Sequence, residues 1–428
     1  MMTEHSEFNF EQCIKCTVCT VYCPVAAVNP LFPGPKQAGP DGERLRLKDK
    51  GFFDESLKMC PNCKRCEVAC PSNVRIGDII QSARIKHSRK GPGLRERLLA
   101  NTDFVGSMAT PFAPLVNMTV GWKPVKMVMD KVVGIDHRRT FPRYAFGSFE
   151  GWLKRRRKKQ SKFARQISYF HGCYVNYNNP QLGKDFVKVM NALGIGVQLL
   201  EKEKCCGVPL ISNGLIDKAR RQGEHNTALL RQSIVENNRP VVGTSTTCTF
   251  TLRDEYPHLL DIDNADIREK IDLATRYIYR ILSSGDVKLR FKKNAPQRRV
   301  AYHTACHMEK LGWSYYSIAL LKMIPSVELT VLDSQCCGIG GTYGFKKENY
   351  PTAQAIGDTL FRKIEASGCD VVSTDCETCK WQIEMSTSKP VIHPISLLAE
   401  ALEEIKKRLL TIGLAAFNFK MCIKPIDG

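Results

Sequence analysis

Cys13-Ile-Lys-Cys16-Thr-Val-Cys19-Thr-Val-Tyr-Cys23-Pro24 and its copy Cys60-Pro-Asn-Cys63-Lys-Arg-Cys66-Glu-Val-Ala-Cys70-Pro71 decide how the first part of this chain folds. Each run reads C-x₂-C-x₂-C-x₃-C-P. A lone C-x₂-C would leave a zinc knuckle or a redox dithiol open. Two complete runs leave little room for either, because tetrahedral zinc takes separated pairs rather than four cysteines in one run. Three thiolates this close can cap three metal atoms of one small cluster. The fourth, one residue further on and followed by proline, is held away from it.

This is the run with which bacterial two-cluster ferredoxins hold two [4Fe–4S] clusters, the fourth cysteine serving the other cluster. The resemblance implies Cys13, Cys16, Cys19 and Cys70 for one cluster, and Cys23, Cys60, Cys63 and Cys66 for the second. About three dozen residues separate the runs, among them Pro30, Pro33, Pro35 and Pro40. With the helical-looking stretch 79–87, that insertion suggests a mostly α-helical ferredoxin domain over residues 1–92.

Nineteen cysteines among 428 residues, with no apolar leader in the polar first ten, favour metal binding in a reducing cytoplasm over a disulfide framework. No stretch of about twenty uninterrupted apolar residues is present, so no transmembrane helix is expected. The net charge of +20 admits nucleic acid, an anionic membrane surface or an acidic partner. No nucleic-acid recognition module is visible, and the basic residues are dispersed except at Lys154-Arg-Arg-Arg-Lys-Lys159. That run reads first as a solvated face.

Residues 93–165 read as a connector punctuated by Pro111, Pro114, Pro124 and Pro142. Within it Trp122, Val125, Val128, Met129, Val132 and Val133 fall on one helical face, with Lys123, Lys126, Asp130 and Lys131 opposite. Such a helix can lie on a membrane surface, or its stripe can pack on a neighbouring domain.

Beyond it lies an internal repeat. Tyr169-Phe-His-Gly-Cys173 matches Tyr302-His-Thr-Ala-Cys306, Lys204-Cys205-Cys206-Gly207 matches Gln335-Cys336-Cys337-Gly338, and Ser245-Thr-Thr-Cys248 matches Cys376-Glu-Thr-Cys379, at offsets of 131 to 133. We expect two tandem α/β repeats with parallel strands, over 166–295 and 296–400. Strands are expected at 167–170, 197–200 and 241–244, then at 299–303, 328–333 and 370–373. Helices are expected at 181–193 and 216–235. Every cysteine group follows a predicted strand, at the edge where open parallel sheets place their ligands. Cys173, Cys205, Cys206 and Cys248 should therefore meet, as should Cys306, Cys336, Cys337, Cys376 and Cys379. A helix and tail are expected over 401–428.

These repeats resemble the cysteine-rich CCG domains of the heterodisulfide reductase B-subunit and of the iron–sulfur subunits of flavin dehydrogenases such as glycolate oxidase. Taken with Gly39-Pro-Asp-Gly-Glu-Arg-Leu-Arg-Leu47 and Asp333-Ser-Gln-Cys-Cys-Gly-Ile-Gly-Gly-Thr-Tyr-Gly-Phe345, residues 8–400 closely resemble the C-subunit family of anaerobic glycerol-3-phosphate dehydrogenases. That resemblance implies an iron–sulfur subunit carrying electrons from flavin-containing catalytic subunits to menaquinone in anaerobic respiration. It also implies a peripheral place on the cytoplasmic face of the inner membrane. In the heterodisulfide reductase pattern a complete unit has five cysteines and can hold a non-cubane cluster. The second unit is complete. The first has Ser245 at the fifth position and is left with an ordinary cube, a labile cluster or nothing. One or two clusters beyond the ferredoxin pair are expected.

No flavin or nicotinamide site is visible, since Gly338-Ile-Gly340-Gly341 and Gly194-Ile-Gly196 are only fragments of the dinucleotide motif. The leading expectation is thus an electron relay with no catalytic residues of its own. A thiol–disulfide reductase centred on the second unit is the alternative from the enzyme class, and an iron–sulfur sensor or scaffold a third. His171, His303, His307 and His393 sit beside the strand ends and read as supports for the ligand groups rather than ligands. Cys369 reads as a buried thiol. The stripe Ile395, Leu398, Leu402, Ile405, Leu409 reads as core packing, and Cys422 belongs to neither motif.

Overall fold

In both repeats a short parallel sheet packs between helices, its central strands buried because apolar residues recur there without alternation, while the edge strand Val327–Val331 of the second stays partly exposed. The computed structural model describes residues 9–403 apart from 50, 53 and 88–90. Ile405, Leu409, Cys422 and most of the tail expected over 401–428 lie outside the described residues.

The first sheet comprises β1 (Arg165–Phe170), β2 (Ile195–Leu199), β3 (Val241–Gly243) and β4 (Ile271–Leu273), in the order β2-β1-β3-β4. The second repeats it with β5 (Arg298–Tyr302), β6 (Val327–Val331), β7 (Val371–Ser373) and β8 (Val391–Ile392), ordered β6-β5-β7-β8. All pairings are parallel. The chain order reverses direction at β1 and β5, which opens a crevice at their carboxyl ends. Six of the eight strands fall where the apolar runs predict. β4 and β8 do not, because segments of three and two residues show no periodicity to read.

The helices Pro180–Ala192 and Ile216–Arg231 form as expected, the second continuing through one wide turn, Gln232–Glu236. Ile167, Phe186 and Met190 of the first repeat share one core with Tyr302, Leu320, Ile395 and Leu398 of the second. The two repeats therefore pack as one body. The stripe Ile395, Leu398 and Leu402 is buried in that core.

The ferredoxin part carries no strand among its described residues, only helices such as Gly42–Lys48 and Ile76–His87. Its core, with Val25, Leu57, Val74 and Ile80, also takes in Cys336 and Ile356 of the second repeat. Polar contacts fix the docking. Arg65 donates to Glu309 at 2.8 Å and to Ser334 Oγ at 2.9 Å, while its guanidinium lies over the Tyr22 ring at 4.5 Å. Asn62 donates to Glu255 of the first repeat at 2.9 Å, and Gln81 to the Ile211 carbonyl at 3.1 Å.

Residues 93–165 are largely helical: Leu94–Ala100, Thr102–Ala109, Ala113–Gly121, Lys123–Val128 and Phe149–Lys154. Pro111, Pro114 and Pro124, which suggested breaks, each stand in the first turn of a helical segment. There the missing N–H costs nothing and the fixed φ suits the helix. The face expected at 122–133 differs from the sequence reading. Trp122, Val128 and Val132 are exposed, while Asp130 is buried and pairs with Lys347 and with His137 at 2.8 Å. The stripe is split: Met129 and Val133 pack against the second repeat's core, as one of the two expectations had it. The ion pairs hold Asp130 inward and leave Trp122, Val128 and Val132 outside. The basic run 154–159 is exposed, with Lys154 paired to Glu150 at 2.6 Å and Arg157 to Glu201 at 2.8 Å.

Candidate functional site

Backbone shape at the two N-terminal runs follows from cysteines spaced three apart. To turn every sulfur inward, the chain takes left-handed φ at Lys15 (60°), Thr17 (62°), Asn62 (57°) and Lys64 (64°), the same offsets in both copies. Non-glycine residues there cost about 1–3 kcal/mol each and persist only where their surroundings over-determine them. Cys19 lies near Cys13, Cys70 and Cys16, which push its thiol up after burial has done so. Cys66 lies near Cys63, Cys60 and Cys23 and is pushed up by burial first. The runs thus exchange their fourth cysteines in space. Cys16 is exposed, whereas Cys66 and Cys23 are buried.

Lys64, only 1 % exposed, sits beneath the second group. It pairs with Asp78 and with Glu67 at 3.6 Å, and Glu67 is also held by Lys310 at 3.0 Å. Burial alone would lower the Lys64 pKa, but Asp78 and Glu67 raise it on balance, so the ammonium stays charged.

In the first repeat the three strand ends bring four thiols into mutual contact. Cys205 neighbours Cys173 and Cys206, whose thiols lower its pKa, and Cys248 adjoins Cys206. Ser245 caps the helix Thr246–Phe250, accepting from the Cys248 N–H at 3.2 Å and donating to Glu377 at 2.9 Å. Ser245 thus serves as a helix cap at the position where the second repeat has Cys376. Replacing Ser245→Ala should cost about 1 kcal/mol, as for other caps, and leave iron per chain unchanged. Loss of iron in that variant would make the hydroxyl a ligand.

The second repeat places Cys376 at the same capping position and Cys306 in the first turn of Cys306–Leu311. Cys337 and Cys379 approach to 3.4 Å, and Cys379 adjoins Cys376. The Gly338 N–H donates to Cys336 Sγ at 3.4 Å. Gly338 has φ +86°, and a Cβ there would meet the Ala353 carbonyl at 1.9 Å, so only glycine fits behind the paired cysteines. Gly340 likewise lets this loop lie against Pro61 of the ferredoxin part.

The groups form a series. Cys23 neighbours Cys19, Cys63 neighbours Cys336, and Cys306 neighbours Cys63. The two repeats meet where Thr247 Oγ1 reaches Cys376 Sγ at 3.9 Å. All eighteen described cysteines are free of disulfides. Seventeen belong to these groups, and the other, Cys369, is buried in the second repeat's core. Convergent sets of four and five thiols, with N–H donors aimed at sulfur, suit iron–sulfur clusters. Thiolates packed this closely without a cation would be strongly destabilised.

Of the histidines, His171 is buried with Nδ1 3.0 Å from the Gly172 carbonyl, and burial lowers its pKa to about 4. His393 accepts from the Ile395 N–H at 3.1 Å, capping its helix, and its Nε2 faces the Thr244 carbonyl at 2.9 Å. It thereby ties the two repeats together. His303 lies with Cys337 and Cys379 in a group whose donor atoms fall within 4.8 Å of one another. Sequence reasoning missed the Lys64 network and the left-handed residues. The matched offsets of Lys15 with Asn62 and of Thr17 with Lys64 were the available signal.

Comparison with known proteins agrees with this arrangement. Residues 9–74 match a 4Fe-4S dicluster domain, and 167–253 and 300–384 each match the cysteine-rich CCG domain. The chain is 60% identical over 401 residues to the C-subunit of the anaerobic glycerol-3-phosphate dehydrogenase of Escherichia coli K12, covering 93% of this chain and all of that protein. It belongs to the C-subunit family of anaerobic glycerol-3-phosphate dehydrogenases. More distant relatives include the D-subunit of the dihydromethanophenazine:CoB–CoM heterodisulfide reductase of Methanosarcina barkeri, 24% identical over 92% of this chain and 94% of the relative. The B-subunit of the fumarate reductase (CoM/CoB) of Methanothermobacter marburgensis is 25% identical over 90% of this chain and 70% of the relative. As a member of the glycerol-3-phosphate dehydrogenase C-subunit family the chain is an iron–sulfur protein, and no helix among its described residues is long and apolar enough to cross a membrane.

Proposed function

We propose that this chain is the electron-transfer subunit of an anaerobic glycerol-3-phosphate dehydrogenase, taking electrons from flavin-containing catalytic subunits and delivering them to membrane menaquinone. The carrying observation is the series of thiol groups from exposed Cys16 inward to Cys336. Bound iron–sulfur clusters would supply reversible one-electron chemistry. Cys13, Cys16, Cys19 and Cys70 hold one [4Fe–4S] cluster, and Cys23, Cys60, Cys63 and Cys66 the other. Cys173, Cys205, Cys206 and Cys248 hold a further cluster. Cys306, Cys336, Cys337, Cys376 and Cys379 have the count for a non-cubane one. The domain divisions follow, at 92, 165, 295 and 400.

Peripheral attachment to the cytoplasmic face of the inner membrane is supported by the helices after residue 93. Phe104, Met108, Phe112, Leu115, Met118 and Trp122 recur every three or four residues and are all more than half exposed. Small residues Gly106, Ala109 and Ala113 face the protein instead, Gly106 lying against the Tyr177 ring. Lys123, Lys126 and Lys131 follow, suited to anionic lipid. Replacing Phe112, Met118 and Trp122 together by Glu should remove about 2 kcal/mol of lipid affinity per side chain and leave the protein in the supernatant of sedimented vesicles. Unchanged sedimentation would place attachment elsewhere.

The relay itself is tested in the assembled complex by following the iron EPR signals after glycerol 3-phosphate is added, with and without quinone. Signals that reduce and then reoxidise on quinone addition support it. Clusters that stay oxidised throughout would contradict it.

A further inference from the structure

We infer that the cavity between the helices of residues 94–145 and the two repeats binds the ring and first isoprene units of a prenylated quinone. This rests on the reading above that electrons leave toward a membrane quinone, and it adds where that molecule sits. The cavity holds about 400 Å³, including the space between the cysteine groups that bound clusters would take, so the part open to a quinone is the apolar one. Its lining has two chemistries. One part comes from the cysteine groups of both repeats, with Cys63 of the ferredoxin part. The other is aliphatic and aromatic, including Leu98, Val105, Val116, Val120, Met129 and Phe141, none of which can ligate iron.

An occupant must therefore be apolar over most of its length and still reach the groups that hold redox metal. Among the described residues Glu255 and Glu377 but no lysine or arginine line the cavity, so a phosphate-bearing nucleotide or an anionic thiol carrier would have no cation there to pair with. A quinone meets both demands. Its carbonyl oxygens need donors, and His307 offers one. The ring of His307 stacks on Phe250 at 4.7 Å, and its Nδ1 lies 3.3 Å from Thr247 Oγ1. Its Nε2 is buried near the Asn62 backbone without a well-aligned hydrogen bond, and the residue lines the cavity. In the tautomer where the Thr247 hydroxyl donates to Nδ1, the proton sits on Nε2, from which a quinone carbonyl in the cavity would accept.

The same helices carry the route in. Val105 and Val116 line the cavity, while their neighbours Phe104 and Leu115 are exposed on the apolar outer face. An isoprenoid tail can thus run from the outer surface to the cysteine groups along apolar side chains.

The test uses full-length, anaerobically prepared, cluster-loaded protein and a photoreactive azido-quinone carrying two isoprene units. Labelling should fall on residues 94–145 and be displaced by the matching unlabelled quinone. Val116→Trp and Val120→Trp, which fill the cavity, should each cut labelling about tenfold with iron content and EPR spectrum unchanged. Met118→Trp, on the outer face, should leave it unaltered. Saturable labelling confined to other residues overturns the location and leaves the relay reading standing. Absence of saturable labelling anywhere overturns both. Should the tryptophan variants lose iron, the wild-type label map decides alone.

Discussion

Cys66→Ala is expected to remove about four iron atoms per chain and to cut electron delivery from the catalytic subunits to the second repeat. The loss should exceed the roughly 10–100-fold that even the outer partners of a metal site are worth. The reason is position. Cys66 is buried beside Cys60, Cys63 and Cys23, and this group lies between the exposed one at Cys16 and the second repeat at Cys336. Alanine offers iron no donor atom. Cys369→Ala is the control, since this thiol is also buried but belongs to none of the cysteine groups and faces the Ile364 carbonyl at 3.9 Å. It should keep its full iron content. Iron analysis with reduction kinetics separates the outcomes, and equal iron in the two variants would remove Cys66 from the ligand set.

The second large effect is expected at Lys64→Met. Its ammonium is sealed from water, and it compensates Asp78 and Glu67, which have side-chain exposures of 3% and 1%. Removing it leaves two buried carboxylates short of their partner, which should cost about 3–5 kcal/mol. That is a large share of the about 5–15 kcal/mol by which domains are stable. Lys64→Met with Asp78→Leu should recover most of the loss, because an apolar replacement of the pair removes the uncompensated charge. Anaerobic denaturant unfolding of loaded protein measures both. A single-variant loss below about 1 kcal/mol would mean that Asp78 and Glu67 find their compensation in Arg75 and Lys310 alone.

The ligand groups were legible because sulfur chemistry imposes spacing. Two matched runs announce exchanged fourth ligands, and a repeat at offsets of 131 to 133 announces paired sheets with cysteines at equivalent edges. Other features depend on contacts that spacing does not encode. Spacing says nothing of where Lys64, between two ligand cysteines, finds its partner Asp78. Pro111, Pro114 and Pro124 read as breaks, although the same ring geometry starts helices. Asp130 reads as the wet face of its helix until Lys347 and His137 are brought against it. Ser245 reads only as an absent fifth cysteine until its two hydrogen bonds show it capping a helix.

The central claim, that these thiols hold iron in series, is tested most directly by iron and acid-labile sulfide per chain in anaerobically purified full-length protein, read together with EPR. The account predicts about twelve to sixteen irons with near-equal sulfide, and reduced clusters that interact magnetically. About eight irons would confine clusters to the ferredoxin part. Protein that is colourless and iron-free, with its cysteines in disulfides or on zinc, would contradict the account.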